Sequence, residues 1–461
     1  MESSARTLPS VAATLPFVVF IAVYAPAVGH GFVKDDFGWI ASNIAGNLSD
    51  VGSIFLRTSG FYRPLVGLTF AANYALFGLD PLGYGITNLC LALVCAAAVY
   101  KLAHTCGLAW GSAVVASAFW LLNVHGINMA VLWISGRTAL LLTGFSVLAA
   151  DQLLRRRVWV AAIYLGAALL SKEEAVVLPF VLTAWLFLLQ PERDQAWRRY
   201  VLKWLMVSGG VLAVYLYVRQ QLGAVTPSTA PIYYQFVFDP RVVLRNVAEY
   251  LDRAATVAVA SVLLGAVSLS GRRPWGALRK YLRTDLVAAG IVWAVGGYCL
   301  TVFLPVRSSL YACFPSVGVC LVAAACLEAL WPLASEHRRR RTLCIAIVVT
   351  IAVGMIHRSR TGRWTEIADL TSEVLPVIER YSAQLPAGAS VVVYDDLSTR
   401  RNLSAAFGTA LNLAFELRNH RQLNLWIEPP LPDAPLAGLS PPCRGCEALT
   451  LALRNGVLVR R

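Results

Sequence analysis

Eleven apolar runs of 14 to 25 residues recur along this chain and limit what it can fold into. As helices, runs of about 20 apolar residues match the roughly 30 Å hydrocarbon core of a bilayer, and the shorter ones need neighbouring helices or local thinning. Only 14% of the 461 residues are charged, and the mean hydropathy is +0.60, which is too apolar for a soluble globule of this length. The pattern predicts an all-α polytopic membrane domain over residues 1–357 with about eleven transmembrane helices. The runs lie at about 8–28, 83–103, 108–123, 136–154, 158–171, 175–190, 204–222, 247–270, 285–305, 310–334 and 342–357.

The basic residues are concentrated in four short segments between these runs. They hold sixteen of the forty Lys and Arg residues, so the net charge of +14 reflects membrane topology and does not indicate nucleic acid as a partner. With a cytoplasmic N-terminus, all four fall on the cytoplasmic side. The first run lacks a small-residue cleavage site, so we interpret it as a retained helix. The sequence predicts a multi-pass protein of the cell inner membrane with a periplasmic, or otherwise extracytoplasmic, C-terminus; the segments are Arg155 to Arg157, Arg193 to Lys203, Arg272 to Arg283 and Arg338 to Arg341.

Residues 358–461 differ in composition and predict a small extracytoplasmic α/β domain. Asn455-Gly456 between two apolar runs is typical of a β-hairpin turn. Cys443 and Cys446 form a lone C-x-x-C pair, which outside the cytoplasm favours a local disulfide over half a zinc site. The predicted elements are helices over Glu366–Ser382 and Asn402–Leu417, strands over Ser390–Tyr394 and Leu423–Ile427, a proline-rich loop over Pro429–Pro442, and the hairpin arms Leu449–Leu453 and Val457–Val459.

Two adjacent carboxylates, Asp35 and Asp36, follow the first apolar run and open a long outer segment over residues 29–82. Close to a low-dielectric surface, such a pair can hold one carboxylate as a general base with a shifted pKa. In the alternative, Asp36 caps a short helix and Asp35 is merely solvated, and composition alone favours that simpler interpretation. A second long outer segment covers residues 223–246, and Pro64 to Gly78 is interpreted as a helix at the outer membrane interface.

Single cations stand at the predicted outer helix ends, where the positive-inside tendency makes them exceptions. A lipid phosphate would supply a partner, because guanidinium groups bind phosphate bidentately and stabilise charge on a leaving group. For any one of them snorkelling to the headgroups is about as good an interpretation, and Lys172 could simply pair with Glu173. His125, near Asn128, is better explained as a hydrogen-bonded loop residue than as a ligand. The cations are Arg63, Arg137, Lys172, Arg241, Arg245 and Arg307.

Short motifs between residues 30 and 180 form a pattern that is specific only when taken together. They are Phe32-Val33-Lys34-Asp35-Asp36, Tyr62-Arg63-Pro64-Leu65, Leu68-Thr69-Phe70, Asn73 to Leu79, Pro81-Leu82-Gly83-Tyr84, Asn88-Leu89, Trp133-Ile134-Ser135-Gly136-Arg137 and Leu170-Ser171-Lys172-Glu173. This region resembles the transmembrane O-mannosyltransferase family that carries tetratricopeptide repeats, and its bacterial relatives. A weaker echo lies at Pro315 to Gly318, and the tail shows no likeness.

The resemblance implies a GT-C glycosyltransferase that takes a hexose, mannose being one candidate, from an undecaprenyl- or dolichyl-phosphate carrier. It implies that Asp35, with Asp36 beside it, is the catalytic carboxylate. Arg63, Arg137 and Lys172, and more weakly Arg307, become candidates for the lipid phosphate, with Glu173, His125, Asn128 and Tyr62 as further site candidates. The base would take a proton from an acceptor hydroxyl, the phosphate would leave, and the configuration would invert. Whether the acceptor is a protein, a lipid or a glycan stays open.

Three departures from the family limit what the resemblance implies. Met129 stands where the family has an acidic residue, Arg307 lies further before Pro315 than the family's arginine, and the tetratricopeptide repeats are missing. Adjacent carboxylates could bind Mg²⁺ or Mn²⁺, but a phosphate leaving group requires no metal, so none is predicted. A lipid-linked sugar flippase or transporter, and a polysaccharide polymerase or ligase using a diphosphate carrier, are the alternative functions.

Overall fold

The computed structural model describes residues 2–57, 61–190, 193–224, 234–270, 280–429, 448–454 and 456–461. Short 3₁₀ turns at Ala25–Ala27, Ile134–Gly136, Glu173–Val177, Thr301–Phe303, Ser309–Ala312 and Trp331–Leu333 connect its helices. The helices are α1 (Glu2–Tyr24), α2 (Asp35–Ser42), α3 (Leu48–Ser53), α4 (Pro64–Phe77), α5 (Pro81–Thr105), α6 (Trp110–Leu121), α7 (Gly126–Leu132), α8 (Arg137–Leu154), α9 (Val158–Leu169), α10 (Leu178–Leu189), α11 (Gln195–Gln221), α12 (Pro240–Ser270), α13 (Thr284–Tyr298), α14 (Ser316–Leu330), α15 (Glu336–Ser382), α16 (Leu403–Phe407) and α17 (Leu411–Asn419).

Local sequence explains where several of these helices begin. Proline occupies the start of α4 and α5, where its missing N–H costs nothing. The carboxylate of Asp80 accepts a hydrogen bond from the Leu82 N–H at 3.0 Å, and Asp194 accepts one from Trp197 at 2.7 Å. These side chains satisfy donors that the first helical turn leaves unpaired.

Among the described residues, four helices are long and apolar enough to cross a membrane. They are Pro81–Thr105, Gln195–Gln221, Pro240–Leu269 and Glu336–Ser382, and a fifth span results if Trp110–Leu121 and Gly126–Leu132, bent by 64°, are one broken span. The chain is therefore a multi-pass membrane protein, but the predicted count of about eleven spans is not confirmed. Several predicted spans are shorter helices: α9 and α10 have 12 residues each and are about 18 Å long at 1.5 Å per residue.

The larger apolar core lies among the helices of the membrane domain. Three of its buried tryptophans donate their indole N–H groups to main-chain carbonyl oxygens: Trp120 to Cys313 at 2.9 Å, Trp185 to Ala289 at 2.8 Å and Trp293 to Phe314 at 2.9 Å. Gly290 and Gly318 allow α13 and α14 to touch, since a Cβ on either would meet the other's carbonyl oxygen at 2.6 Å or less. Small residues at a helix crossing are typical of membrane proteins, where close backbone approach drives association.

One helix, α15, carries the last predicted span directly into the tail. It has 47 residues, which at 1.5 Å per residue is about 70 Å, more than twice the bilayer core. The predicted helix Glu366–Ser382 is its last part. The predicted domain boundary at 357/358 therefore falls inside a continuous helix.

The described residues of the tail form a four-stranded sheet with the order β2-β1-β3-β4. The strands are β1 (Ser390–Tyr394), β2 (Asn424–Glu428), β3 (Leu449–Arg454) and β4 (Val457–Arg460); β1 pairs in parallel with β2 and β3, and β3 pairs antiparallel with β4. This confirms the predicted strands and the hairpin, whose Gly456 has φ +77°. The predicted helix Asn402–Leu417 is divided into α16 and α17, because Gly408 at φ +54° ends the first. Pro430 to Pro442, Cys443 and Cys446 lie outside the described residues.

A second apolar core joins the tail to the outer segment 29–82. Phe37 of α2 stacks on Phe407 of α16 with ring centroids 6.0 Å apart, and Trp39 stacks on Phe70 of α4 at 5.6 Å. Gly31 abuts α15 so closely that a Cβ there would lie 2.3 Å from the Ala368 carbonyl oxygen. The segment that carries Asp35 is thus enclosed between the membrane helices and the tail.

Candidate active site

A cavity of about 880 Å³ opens where the outer segment meets the loops that connect the membrane helices. Segments far apart in sequence line it: α2 with the residues before α4, the turn at 172–174, the end of α11, and residues 300–311. It brings together five of the residues that the sequence singled out, namely Asp35, Arg63, Lys172, Glu173 and Arg307. Asp36, Arg137, His125, Asn128 and Tyr62 do not line it.

Asp35 is the first residue of α2 and lines the cavity. The residue before it, Lys34, adopts φ +48°, a left-handed conformation that is unfavourable for a residue with a Cβ. Burial raises the pKa of Asp35 above its ordinary value, while the charges of Lys34 and Arg63 lower it. A carboxylate with a raised pKa at a cavity wall is suited to accept a proton.

Asp36 does not line the cavity and is completely buried. One of its oxygens accepts hydrogen bonds from the N–H and hydroxyl of Ser135, at 2.8 and 2.5 Å, and the other accepts one from the Val33 N–H at 3.0 Å. Burial raises its pKa to about 7, although the hydrogen bonds from Ser135 and Val33 act in the opposite direction. Asp36 ties the segment to the 3₁₀ turn at Ile134–Gly136, so the two carboxylates do not face one reacting bond together.

Arg63 and Glu173 form a bidentate ion pair at the cavity wall. The Arg63 Nε lies 2.9 Å from one Glu173 oxygen and an Nη lies 2.5 Å from the other, and the two side chains are 13% and 26% exposed. Burial raises the pKa of Glu173, but the charge and hydrogen bonds of Arg63 outweigh it and lower the pKa to about 2. Both groups are therefore charged at neutral pH, and Arg63 carries little unbalanced positive charge.

Lys172 pairs with Glu174 and not with Glu173. Its Nζ lies 2.7 Å from a Glu174 oxygen and 4.9 Å from the centre of the Tyr311 ring. Both charged side chains are less than one-tenth exposed. An aromatic face and a buried carboxylate hold the ammonium group in place at the cavity wall.

Arg307 belongs to a cluster with an excess of positive charge. Its guanidinium pairs with Glu249 of α12, and the same carboxylate lies 3.1 Å from both Arg245 and Arg253. Three arginines thus share one acid beside the cavity. The sequence interpretation missed Glu249 and Arg253, although the i,i+4 spacing of Arg245, Glu249 and Arg253 is a signal that could have found them.

Arg219 lines the cavity and is another residue that sequence reasoning missed. It lies near the end of α11 and is buried. Its guanidinium donates to the Ala224 carbonyl oxygen at 2.7 Å and to the Tyr215 hydroxyl at 3.0 Å. A basic residue in the last turn of an apolar helix was the available signal, and the predicted run 204–222 treated it as part of a span.

Arg137 was predicted beside the lipid phosphate, but the structure places it inside the protein. Its side chain is completely buried and donates to the amide oxygens of Asn73 and Asn88, at 2.7 and 3.0 Å, and to the Ile134 carbonyl oxygen at 3.2 Å. Its guanidinium also lies 4.4 Å from the centre of the Phe70 ring. Arg137 joins α4, α5 and α8.

The remaining candidates lie in other environments. Asn128 donates to the Tyr24 hydroxyl at 3.1 Å, and the His125 imidazole lies 3.2 Å from Arg360 of α15. Tyr62 donates to the Phe55 carbonyl oxygen at 3.2 Å and is 4% exposed. These contacts join helices or close loops, and none places the side chain at the cavity.

The described residues hold no group of three or more His, Cys, Asp and Glu side chains placed to bind a metal ion. Both oxygens of Asp36 already accept hydrogen bonds from Ser135 and Val33, so Asp35 and Asp36 do not form a chelating pair. These carboxylates do not fit the Mg²⁺ or Mn²⁺ that their adjacency in sequence allowed, and we assign no step to a metal.

The arrangement of helices and tail is similar to that of solved GT-C glycosyltransferases. The crystal structure of ArnT from Cupriavidus metallidurans in the apo state is similar with a TM-score of 0.56 and 12% identity, over 92% of this chain and 86% of that one. The same protein bound to undecaprenyl phosphate gives 0.55 and 14%, over 90% and 85%. The apo oligosaccharyltransferase of Archaeoglobus fulgidus gives 0.51 and 12%, over 92% of this chain and 64% of that longer one.

These identities establish the fold and not the reaction. No protein-family model matches the chain, and no curated protein matches its sequence significantly. The GT-C class that the sequence resemblance implied is therefore confirmed as a fold, whereas the O-mannosyltransferase family in particular is not confirmed.

Proposed function

We propose that this protein is a membrane glycosyltransferase that moves a hexose from a polyprenyl-phosphate carrier to an acceptor hydroxyl, with inversion at the anomeric carbon. The observation that carries the proposal is the shared cavity, whose lining brings a carboxylate with a raised pKa together with the cationic side chains of Lys172 and Arg307. The GT-C fold supports it, and ArnT with the same fold has been crystallised with undecaprenyl phosphate.

In this reaction Asp35 takes the proton from the acceptor hydroxyl. The oxygen attacks the anomeric carbon, and the bond to the carrier phosphate breaks with both electrons remaining on the phosphate oxygen. Cations near that oxygen stabilise the charge as it develops. The proton stays on Asp35 and passes to solvent when the products leave.

We assign the phosphate chiefly to Arg307, with the ammonium group of Lys172, which is also paired with Glu174, as a second contact at the same cavity. Arg307 shares the single carboxylate of Glu249 with Arg245 and Arg253, so an additional anion there completes an unbalanced cluster. Arg63 is neutralised by its bidentate pair with Glu173, and its contribution is to hold the wall and tune Asp35. In this proposal Arg137 does not bind the phosphate and has a structural role, because its guanidinium already donates hydrogen bonds to Asn88 and Asn73 inside the protein.

The proposed orientation puts the cavity and the residues after 357 on the periplasmic face of the inner membrane, with the N-terminus in the cytoplasm. This follows from the four basic clusters, which a cytoplasmic N-terminus assigns to one side. Mannose is one candidate hexose, and the acceptor could be a protein, a lipid or a glycan.

The proposal is tested by deleting the gene and profiling glycans, membrane lipids and glycoproteins by mass spectrometry. We expect one class of product to lose a single hexose and to regain it on complementation with the wild-type gene, but not with Asp35→Asn. Accumulation of lipid-linked sugar on the cytoplasmic leaflet, with loss of the hexose from every product that draws on that carrier, would instead favour a flippase. Loss of whole oligosaccharide units would favour a polymerase or ligase.

The pH dependence of transfer tests the coupling between Arg63 and Asp35. A base must be deprotonated, so kcat/KM should rise with pH through a pKa above the ordinary value of Asp, which burial has raised. Because the Arg63 charge lowers that pKa, Arg63→Met should move this acid limb to higher pH. Arg57→Met is a matched control: Arg57 is an exposed arginine of the same outer segment, bonded to the Ser42 carbonyl oxygen and absent from the cavity, so its limb should not move. An unmoved limb in both variants would contradict the assignment of Asp35 as the base.

A further inference from the structure

The active-site segment is held from two sides, and one of them is the tail. On the membrane side Asp36 bonds to Ser135. On the other side the Lys34 N–H donates to the Ala406 carbonyl oxygen of α16 at 2.9 Å. Lys34 is the residue immediately before Asp35, so this bond fixes the backbone next to the proposed base.

That hydrogen bond falls at the strained point of the segment. Lys34 has φ +48° and ψ −117°, a conformation that a lysine adopts only when its surroundings impose it. A Cβ on Gly408 would lie 3.6 Å from the Lys34 side chain, so the turn that ends α16 also packs against this residue. The tail therefore contributes to a backbone geometry that the local sequence does not favour.

An aromatic contact anchors α16 against the segment. Phe407 is completely buried and stacks on Phe37 at 6.0 Å with an interplanar angle of 18°. Phe37 in turn packs edge-on against Phe32 at 6.1 Å. Phe32 and Phe37, which flank Asp35 in sequence, are thus connected by aromatic contacts to Phe407 of the tail.

We propose that the tail is a functional part of the active site, and that Phe407 is a positioning residue that holds Asp35 in register with the cavity through Phe37 and the Ala406 to Lys34 hydrogen bond. The inference rests on the proposed function for its catalytic consequence. Its structural consequence, restraint of the amide of residue 34, stands independently of any reaction.

The test compares Phe407→Ala with Leu451→Ala in the full-length protein in detergent or nanodiscs. Leu451 is a completely buried residue in the interior strand β3, so Leu451→Ala is a smaller loss of core volume at another position within the tail. Hydrogen exchange at the Lys34 amide should accelerate at least tenfold in Phe407→Ala and stay within about twofold of the wild type in Leu451→Ala. Phe407→Leu, which keeps an apolar side chain, should recover part of the protection.

Steady-state transfer gives the second readout. Phe407→Ala should lower kcat at least tenfold with KM for the donor nearly unchanged, because Arg307 and Lys172 keep their positions while the base is displaced. The transfer activity of a Leu451→Ala preparation should fall at most in proportion to the fraction of protein that fails to fold. Unchanged exchange at residue 34, or accelerated exchange with full kcat, would overturn the inference. A fully active Asp35→Asn would overturn the proposed function instead and leave the exchange result valid.

Discussion

Replacing Asp35 by Asn should reduce glycosyl transfer at least 100-fold while leaving the amount of folded protein in the membrane unchanged. Asn has nearly the same size but cannot accept a proton, and a positioned general base contributes about 10² to 10⁴ in rate. Asp35 lines the cavity, and the N-cap position of its helix is occupied by Lys34, so replacing Asp35 should not destabilise the fold. The measurement is kcat with the purified variant and the donor that deletion profiling identifies.

Asp50→Asn is the matched control for this variant. Asp50 lies in the same outer segment, is partly exposed and uses its carboxylate to accept a hydrogen bond from the Gly46 N–H at 2.9 Å, which the Asn amide oxygen can also accept. Its kcat should stay within about twofold of the wild type. Equal activity of Asp35→Asn and Asp50→Asn would remove Asp35 from the mechanism.

Arg137→Met should cause the largest loss of stability, about 3 kcal/mol or more in the free energy of unfolding. The variant leaves the amide oxygens of Asn73 and Asn88 buried without their donor, and each buried polar group without a partner costs about 1–3 kcal/mol. Arg137→Lys should also lower the free energy of unfolding, since a single ammonium group cannot reach both amides and stack on Phe70. Thermal unfolding of the protein in detergent checks this.

A surface arginine supplies the comparison for Arg137. Arg340 is 57% exposed and pairs with Glu336 one helical turn away, an arrangement worth about 0.5 kcal/mol or less. Arg340→Met should therefore unfold at nearly the wild-type temperature. If Arg137→Met were equally stable and lost only transfer, its guanidinium would act on the substrate and not on the fold.

The sequence predicted the helical membrane domain, the tail's strands and the segment that carries Asp35, because each depends on local patterns. Apolar runs, alternating strand residues and an Asn-Gly turn are short-range signals. Such local signals do not determine the number of membrane spans. A 12-residue apolar helix such as α9 or α10 and a full span look alike in a window of hydropathy.

The sequence could not predict which charged residues of the site form ion pairs with each other. Arg63 and Glu173 are separated by 110 positions, and Arg307 and Glu249 by 58, so only the fold shows that Arg63 is neutralised while Arg307 shares an acid with two other arginines. The same limit applies to Asp35 and Asp36. They are neighbours in sequence, yet the first turn of α2 sends one into the cavity and the other to Ser135.

The uninterrupted helix α15 sets the angular orientation of everything that follows it. Each residue of an α-helix rotates the chain by about 100°, so removing a single residue between 358 and 366 would swing Phe407 to another side of the helix axis and shift it by only about 1.5 Å along it. A flexible linker would absorb such a deletion. Here the number of residues between the bilayer and the sheet is expected to be as restrictive as their identity, and length variants of this stretch should alternate between active and inactive with helical periodicity.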